Sequence, residues 1–428
     1  MVSYLAILVV FLDYVRLDAF VPVLRVPVFL PMGVLALSLV SKGDVSYKEV
    51  LRLASTRWLL FYLFLLALSG LTAEVTLYAY QFFTGVIIYV AIYMLLAREL
   101  DSLKKIKSLI LVLVVGHLLM AALNPDVILH PEMRAYVMRA APFLGDGNDF
   151  AWSVLSYMPL CLFLFVEARR RSTRALYGAF TVLLLLCIVG SSSRGAALGT
   201  MAGLFYLWAK SSRKLLGLVL IAAVIAGVVV IAPDAYIKRM ESVRNYEEDG
   251  SAQGRLKAWG SAIRMAKEHP LLGVGAGHFS VAFGVDFRPE GVGRTEMAWL
   301  NAHSIYFKTL GELGFPGITF LLGIILSNVV ANEKAMKRSF AGDSQTAQSL
   351  RRLCLFLNAS IIGWAVDGAF LSGIKYPHLF ILCAFSSTLR LWESRLSGSV
   401  VGGAQQAGTA PASRGDDGRV LDADSVPC

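Results

Sequence analysis

The sequence predicts an all-α, polytopic membrane protein with about twelve transmembrane helices and one large helical loop on the far side of the membrane. Two observations lead to this fold class. First, 56% of the residues are hydrophobic and only 16% are charged, whereas a soluble domain carries roughly 25% charged residues. Second, apolar runs of about 20 residues, long enough to cross a bilayer, recur along most of the chain. Because lipid offers the backbone no hydrogen-bond partners, such runs form helices.

The apolar runs also divide the chain. We expect about nine spans in residues 1–232, a periplasmic catalytic loop at 233–301, about three spans in 302–392, and a disordered cytoplasmic tail at 393–428. The spans are predicted at residues 3–22, 25–41, 57–73, 75–97, 106–124, 149–168, 174–190, 194–209, 215–232, 302–328, 350–369 and 374–392.

Basic residues cluster in alternate loops, and this placement predicts the orientation. The clusters lie at Lys42–Arg57, Arg98–Lys107, Arg169–Arg174, Lys210–Lys214 and Lys334–Arg352. Since basic loops stay in the cytoplasm, we expect a multi-pass protein of the bacterial inner membrane with both termini cytoplasmic. The net charge of +10 is then a topology signal, and no nucleic-acid partner is expected.

Three segments fall on the opposite, periplasmic side, namely 125–148, 191–194 and the long loop 233–301. The long loop carries equal numbers of basic and acidic residues and helical stretches such as 252–268, which indicates a folded element. Because a loop of this length without a function is unusual, we expect the chemistry on this side.

Arg194 lies between two apolar runs, on the side where the positive-inside rule disfavours arginine. The small residues around it let helices approach closely and leave the guanidinium room to reach a cavity. An ionisable residue at membrane depth suggests a functional site. The alternative is an interfacial arginine that reaches the lipid headgroups.

Arg255 and Trp259 lie one turn apart on the same face of a predicted helix in the long loop. One interpretation is an arginine held over an anion, with the indole packing the helix onto the membrane face. The other is a surface helix with an interfacial tryptophan.

His303 lies where the long loop re-enters the membrane, between Asn301 and Tyr306. Imidazole is the side chain best suited to accept a proton near neutral pH, and His303 and Tyr306 share a helix face. The alternative is a helix-entry histidine bonded to backbone. The other histidines are scattered and the cysteines form no C-x-x-C motif, so neither a metal nor another cofactor is expected.

Two further segments have simple structural explanations. The glycine run at 273–277 follows no strand and lacks G-K-[ST], so a tight connection is favoured over a phosphate-binding loop. The stretch 145–150 starts a helix, with Asn148 or Asp149 as the expected N-cap. A contribution of this stretch to the periplasmic site is the alternative.

Two arginines and one histidine thus lie on the same predicted side, at the rim of a helical bundle. Two arginines can hold a diphosphate through charge-assisted hydrogen bonds and stabilise a leaving phosphate without a divalent metal. A nearby histidine can orient or deprotonate an attacking hydroxyl. Because the periplasm holds no ATP, an activated donor there should arrive on a lipid carrier.

The motifs resemble those of the O-antigen ligase/polymerase superfamily. The resemblance rests on Ser-Ser-Arg194-Gly-Ala, Arg255-x-x-x-Trp259, His269-Pro-Leu-Leu-Gly-Val-Gly-Ala-Gly-His-Phe and Asn-Ala-His303-Ser-Ile-Tyr-x-x-x-Leu-Gly-Glu-Leu-Gly-Phe-Pro-Gly, in this order. It implies an inverting, metal-independent glycosyltransferase that moves a glycan from undecaprenyl diphosphate to an acceptor hydroxyl. By the same match, Arg194 and Arg255 would engage the diphosphate, and His303 would activate or position the acceptor. The remaining residues expected at the substrate are Trp259, Tyr306 and Asn301.

Within this superfamily the leading prediction is an O-antigen ligase that uses lipid A–core as acceptor. An O-antigen polymerase and a protein O-oligosaccharyltransferase are the alternatives, because Ser304 follows the histidine where many members carry Asn. The stretch Gly-Asp-Gly-Asn-Asp-Phe-Ala also resembles a subgroup of O-glycosylation ligases. From other classes, a solute transporter would pair charged residues near mid-membrane, and a structural scaffold would leave the long loop unexplained.

Overall fold

The computed structural model describes residues 1–15, 26–126, 146–231, 250–289, 300–338 and 344–407, and all regular secondary structure in these ranges is helical. The helices are α1 (Val2–Val15), α2 (Val26–Val40), α3 (Tyr47–Arg52), α4 (Ala54–Gly70), α5 (Thr76–Glu99), α6 (Leu103–Leu123), α7 (Gly147–Glu167), α8 (Arg171–Gly190), α9 (Arg194–Lys210), α10 (Lys214–Ile231), α11 (Gly250–Glu268), α12 (Phe279–Val285), α13 (Ile305–Arg338), α14 (Gln345–Asp367) and α15 (Pro377–Ala407). A short 3-10 turn, Gly368–Phe370, follows α14.

Each predicted span coincides with one of these helices, although part of the first predicted span lies outside the described residues. Six helices in the described ranges are long and apolar enough to cross a membrane, namely α5, α6, α7, α8, α13 and α14. Shorter apolar helices lie within α1, α2, α4 and α10. The protein is therefore a multi-pass helical membrane protein, with six candidate membrane-spanning helices among the described residues, where the sequence predicted about twelve.

Two boundaries differ from the sequence prediction. The predicted tail begins at 393, but α15 continues to Ala407. Residues 408–428 lie outside the described part. The N-cap of α7 is Asp146, whose side chain accepts a hydrogen bond from the Asn148 backbone N–H at 2.8 Å. Asn148 and Asp149 were the predicted caps, but both lie inside the first turn because α7 begins at Gly147.

Close packing of α9 on α14 brings two polar helix ends together. Gly195, Gly199 and Gly203 recur every fourth residue along α9 and form the face that meets α14. A Cβ atom on Gly199 would lie only 2.6 Å from the Gly363 carbonyl oxygen. Small residues at this spacing allow membrane helices to approach closely. The start of α9 therefore lies directly beside the end of α14.

The bundle has two chemically different ends. At one end, which we call the basic end, the Glu167 carboxylate accepts from Lys107 at 3.0 Å and from Arg352 at 2.9 Å. Lys210 and Glu333 pair there as well, at 2.8 Å. The starts of α7, α9 and α13 meet the end of α14 at the opposite end, which we call the site end. The basic clusters and the candidate site are thus separated by the length of the bundle.

Residues 269–277 form a tight connection that packs on α13. The backbone N–H groups of Val274 and Gly275 donate to the carbonyls of Gly311 and Glu312, at 3.0 and 3.2 Å. Opposite them α13 is interrupted at Gly314, where φ is 64° and ψ is −162°. These N–H groups are bonded within the protein, which favours the predicted tight connection over a phosphate-binding loop.

Candidate active site

Arg194 and Arg255 line one small cavity at the site end. Asn148, Ser193 and Asp367 also line it. Its volume is about 20 Å³, close to the space that one water molecule occupies. Both arginine side chains are half-buried. The structure therefore brings together two of the site residues predicted from sequence, one from the bundle and one from the long loop.

The turn before Arg194 fixes where its side chain starts. Ser193 caps α9, because its hydroxyl accepts a hydrogen bond from the Ala196 backbone N–H at 3.3 Å. Ser192 has a φ of 52°, a left-handed conformation that is uncommon for residues other than glycine. This sharp turn places Arg194 at the first position of the helix, beside the cavity.

His303 has the same unusual backbone conformation, with a φ of 46°. In the described part of the chain, Ser192 and His303 are the two non-glycine residues with positive φ. Such a conformation costs of order 1–3 kcal/mol and persists only where surrounding contacts enforce it. Both strained residues lie in the motifs that carry the candidate site, so the strain is a structural reason to assign function there.

Trp259 holds the segment that contains His303. Its indole N–H donates to the Ala302 carbonyl at 2.9 Å, and its ring stacks on Phe307 with centroids 4.7 Å apart and planes 12° apart. The sequence predicted Trp259 at the substrate. In the structure its polar atom and its ring face contact residues on either side of His303, and its place at the substrate stays a prediction.

Tyr306 and Asn301 also direct their polar atoms to the protein backbone. The Tyr306 hydroxyl donates to the Ala365 carbonyl at 2.7 Å, which ties the start of α13 to the end of α14. The Asn301 side-chain oxygen accepts from the Ala302 N–H at 2.9 Å. In this conformation both residues shape the His303 segment.

The surroundings of His303 favour its neutral form. Partial burial of the His303 ring lowers the pKa of His303 below its ordinary value of 6.5. The positive charges of Arg255 and Lys308 lower this pKa further. Asp146 acts in the opposite direction. A neutral imidazole can accept a proton from a hydroxyl group, so the electrostatics fit a general base.

Asp367, which the sequence prediction did not include, lines the cavity with both arginines. Asp367 is fully buried, and neither carboxylate oxygen has a hydrogen-bond partner among the described residues. Nearby, the Tyr376 hydroxyl donates to Asp149 at 3.1 Å. The sequence does carry a signal for Asp367, because an acidic residue in an otherwise apolar span suggests a functional role.

These elements can perform three chemical tasks. Two guanidinium groups can bind an anion, an imidazole can take a proton, and a buried carboxylate can orient the cations. Among the described residues, no group of three or more His, Cys, Asp or Glu side chains is placed to hold a metal ion.

The fold and the cavity together define a multi-pass helical membrane protein with two arginines and a buried carboxylate in one cavity at one end of its bundle. The sequence model of the O-antigen ligase family matches residues 179–322. This region contains Arg194, Arg255 and His303, and the match confirms the resemblance to the O-antigen ligase-like superfamily. No curated protein matches the chain.

Proposed function

We propose that this protein is an O-antigen ligase. It transfers a polysaccharide from undecaprenyl diphosphate to a hydroxyl group of lipid A–core at the periplasmic face of the inner membrane. The observation that carries the proposal is the convergence of Arg194 and Arg255 on one cavity, with His303 electrostatically coupled to Arg255. The family match over residues 179–322 supports the same reaction class.

The proposed reaction is a single displacement with inversion. The acceptor hydroxyl oxygen attacks the anomeric carbon while the bond from that carbon to the diphosphate oxygen breaks on the opposite face. His303 accepts the hydroxyl proton. The electron pair of the breaking bond goes to the diphosphate, where Arg194 and Arg255 stabilise the added negative charge. In this proposal the two cations supply that stabilisation without a divalent metal.

The size of the cavity adds a requirement to this mechanism. A volume of about 20 Å³ is too small for a diphosphate, since it holds about one water molecule. The donor must therefore bind after Arg255 moves outward with its side chain or with α11. Arg255 comes from the long loop and Arg194 from the bundle, so donor binding would close the loop onto the membrane-embedded part of the site.

The proposed orientation follows from the two ends of the bundle. The loops of the basic end carry the clusters that the positive-inside rule keeps in the cytoplasm. The site end lies across the bundle from them and would face the periplasm, where a lipid-linked donor is presented. Both termini would then lie in the cytoplasm.

Complementation tests the proposed residues. A mutant lacking lipopolysaccharide-linked O-antigen should be restored by the wild type but not by Arg194→Ala, Arg255→Ala or His303→Ala. Lys257→Ala is the matched control, because Lys257 is an exposed cation on the same helix as Arg255. If the three site variants are expressed normally and transfer glycan as well as the control, the assignment of the site is wrong.

The identity of the product separates ligase from polymerase and from protein glycosylation. Ser304 does not decide the subtype, because its hydroxyl caps α13 by accepting from the Phe307 N–H at 3.4 Å. An asparagine there could cap the helix as well. Glycan attached to lipid A–core supports the ligase, whereas a longer lipid-linked polymer or a glycosylated protein supports an alternative. Transfer that EDTA abolishes and Mg²⁺ restores would contradict metal independence.

A further inference from the structure

A second cavity lies at the basic end, between α4, α13 and α15, far from the candidate active site. Its volume is 390 Å³, within the size range of small-molecule sites. We call it the basic-end cavity. Four cationic side chains line it, namely Arg52, Arg57, Lys334 and Arg390.

The charge of the basic-end cavity is largely uncompensated. No acidic side chain lines it. Arg390 pairs with Glu393, but Arg52, Arg57 and Lys334 form no ion pair with the described residues. A neighbouring cavity at the same end differs in that an acidic side chain, Glu333, lines it and pairs with Lys210. Positive-inside topology alone requires basic residues at this end, but it does not require them to converge on one cavity.

The inner wall of the cavity, which we call its floor, is polar. Ser55 and Asn328 are buried and hydrogen-bonded to each other at 3.1 Å. Ser386 and Ser387 complete the floor, and both are buried. Cations above hydroxyl and amide groups match the oxygen-rich, anionic surface of a phosphate group.

The cavity also opens sideways, toward the surface that faces lipid. Val330 lines it and is 45% exposed, and Leu326, one turn earlier on α13, is 58% exposed. A ligand that enters between these side chains would have its polar part in the cavity and its apolar part along the helices. Phospholipids have this construction, and basic pockets between helices at the cytoplasmic face bind anionic headgroups.

We propose that the basic-end cavity binds the phosphate of an anionic phospholipid headgroup, with Arg57 and Lys334 as its principal cationic contacts. Free phosphate and a phospholipid headgroup would make the same contacts with these cations, and the lateral opening favours the phospholipid. Lipid binding at this cavity does not depend on glycosyl transfer. A variant that fails to bind lipid therefore says nothing about the proposed function, and a variant that fails to transfer glycan says nothing about this cavity.

Native mass spectrometry of the full-length protein in detergent tests the site. Dioleoyl phosphatidylglycerol should bind more tightly than dioleoyl phosphatidylcholine. The double variant Arg57→Gln/Lys334→Gln should weaken phosphatidylglycerol binding by roughly 30-fold, about fivefold for each cation removed. Each single variant should weaken phosphatidylglycerol binding by about fivefold.

The matched control is Arg169→Gln/Arg213→Gln, which removes the same charge from two exposed loop positions at the same end. We expect this control to bind like the wild type, with both double variants keeping the wild-type unfolding temperature. Equal binding by the Arg57/Lys334 variant and the wild type would overturn the proposal, as would an equal loss in the control. Inorganic phosphate that binds as tightly as the lipid would overturn the assignment to a phospholipid.

Discussion

Trp259 offers the most direct test of how the site is held together. The His303 backbone is strained by about 1–3 kcal/mol, and two contacts of Trp259 restrain the residues around it. The hydrogen bond to Ala302 contributes about 0.5–1.5 kcal/mol. Stacking on Phe307 contributes a further 0.5–1.5 kcal/mol or so. Together these contacts offset the strain, so their removal should let His303 relax out of its position.

The expected effects on transfer follow from these energies. Trp259→Phe keeps a stacking ring and loses the hydrogen bond, so kcat should fall about 2- to 12-fold. Trp259→Ala loses both contacts, and kcat should fall about 5- to 150-fold. The assay is transfer from purified lipid-linked donor at saturating donor and varied acceptor. A fall in kcat that extra acceptor does not restore supports a positioning role.

Trp208 supplies a matched control. Its indole N–H also donates to a backbone carbonyl, that of Lys214 at 3.1 Å, but it lies at the basic end. Trp208→Ala should leave transfer unchanged. The reasoning fails if Trp259→Ala transfers glycan like the wild type, or if it loses no more activity than Trp208→Ala.

Three other outcomes are expected. Because the pKa of His303 is lowered, the pH at which transfer falls to half should lie below the ordinary histidine value of 6.5. In Arg255→Gln this midpoint of the residual activity should move to higher pH, and an unchanged midpoint would exclude an effect of Arg255 on His303. Asp367→Asn should reduce transfer without lowering the unfolding temperature, because a buried carboxylate without hydrogen bonds destabilises the folded protein. Full activity in this variant would show that Asp367 is not part of the site. Gly314→Ala should destabilise the protein by about 3 kcal/mol or more, because φ of 64° with ψ of −162° is open essentially only to glycine. Gly260→Ala is its control, since space is free around Gly260 and alanine favours a helix; equal unfolding temperatures would refute the strain argument.

The sequence predicted most of the helical architecture because the membrane leaves one strong signal. Apolar runs located most of the described helices to within about five residues, whereas α13 and α15 extend well beyond the predicted ends. The added length consists of polar residues, such as Lys334 and Lys337 in α13, which a hydropathy criterion assigns to loops. The predicted end of the first span lies outside the described residues. The sequence also grouped Arg194 and Arg255, since both lie on the same predicted side of the membrane, at the rim of the bundle.

Contacts between distant segments were beyond sequence reasoning. Nothing along the chain shows that the Trp259 indole meets Ala302, or that the Tyr306 hydroxyl meets Ala365. Side-chain type alone therefore assigned these two aromatic residues to the substrate. Their polar groups are bonded to backbone carbonyls, a positioning role that only the tertiary structure reveals.

The arrangement around Arg194 shows why its neighbours in the motif are small. A Cβ atom on Gly195 would overlap the Asp367 carboxylate. The glycine thus leaves the space in which an acidic group from α14 reaches the start of α9. Ser192 supplies the sharp turn and Ser193 the helix cap. The motif therefore specifies a position as much as a charge: it places one guanidinium where a buried carboxylate and a second arginine can meet it.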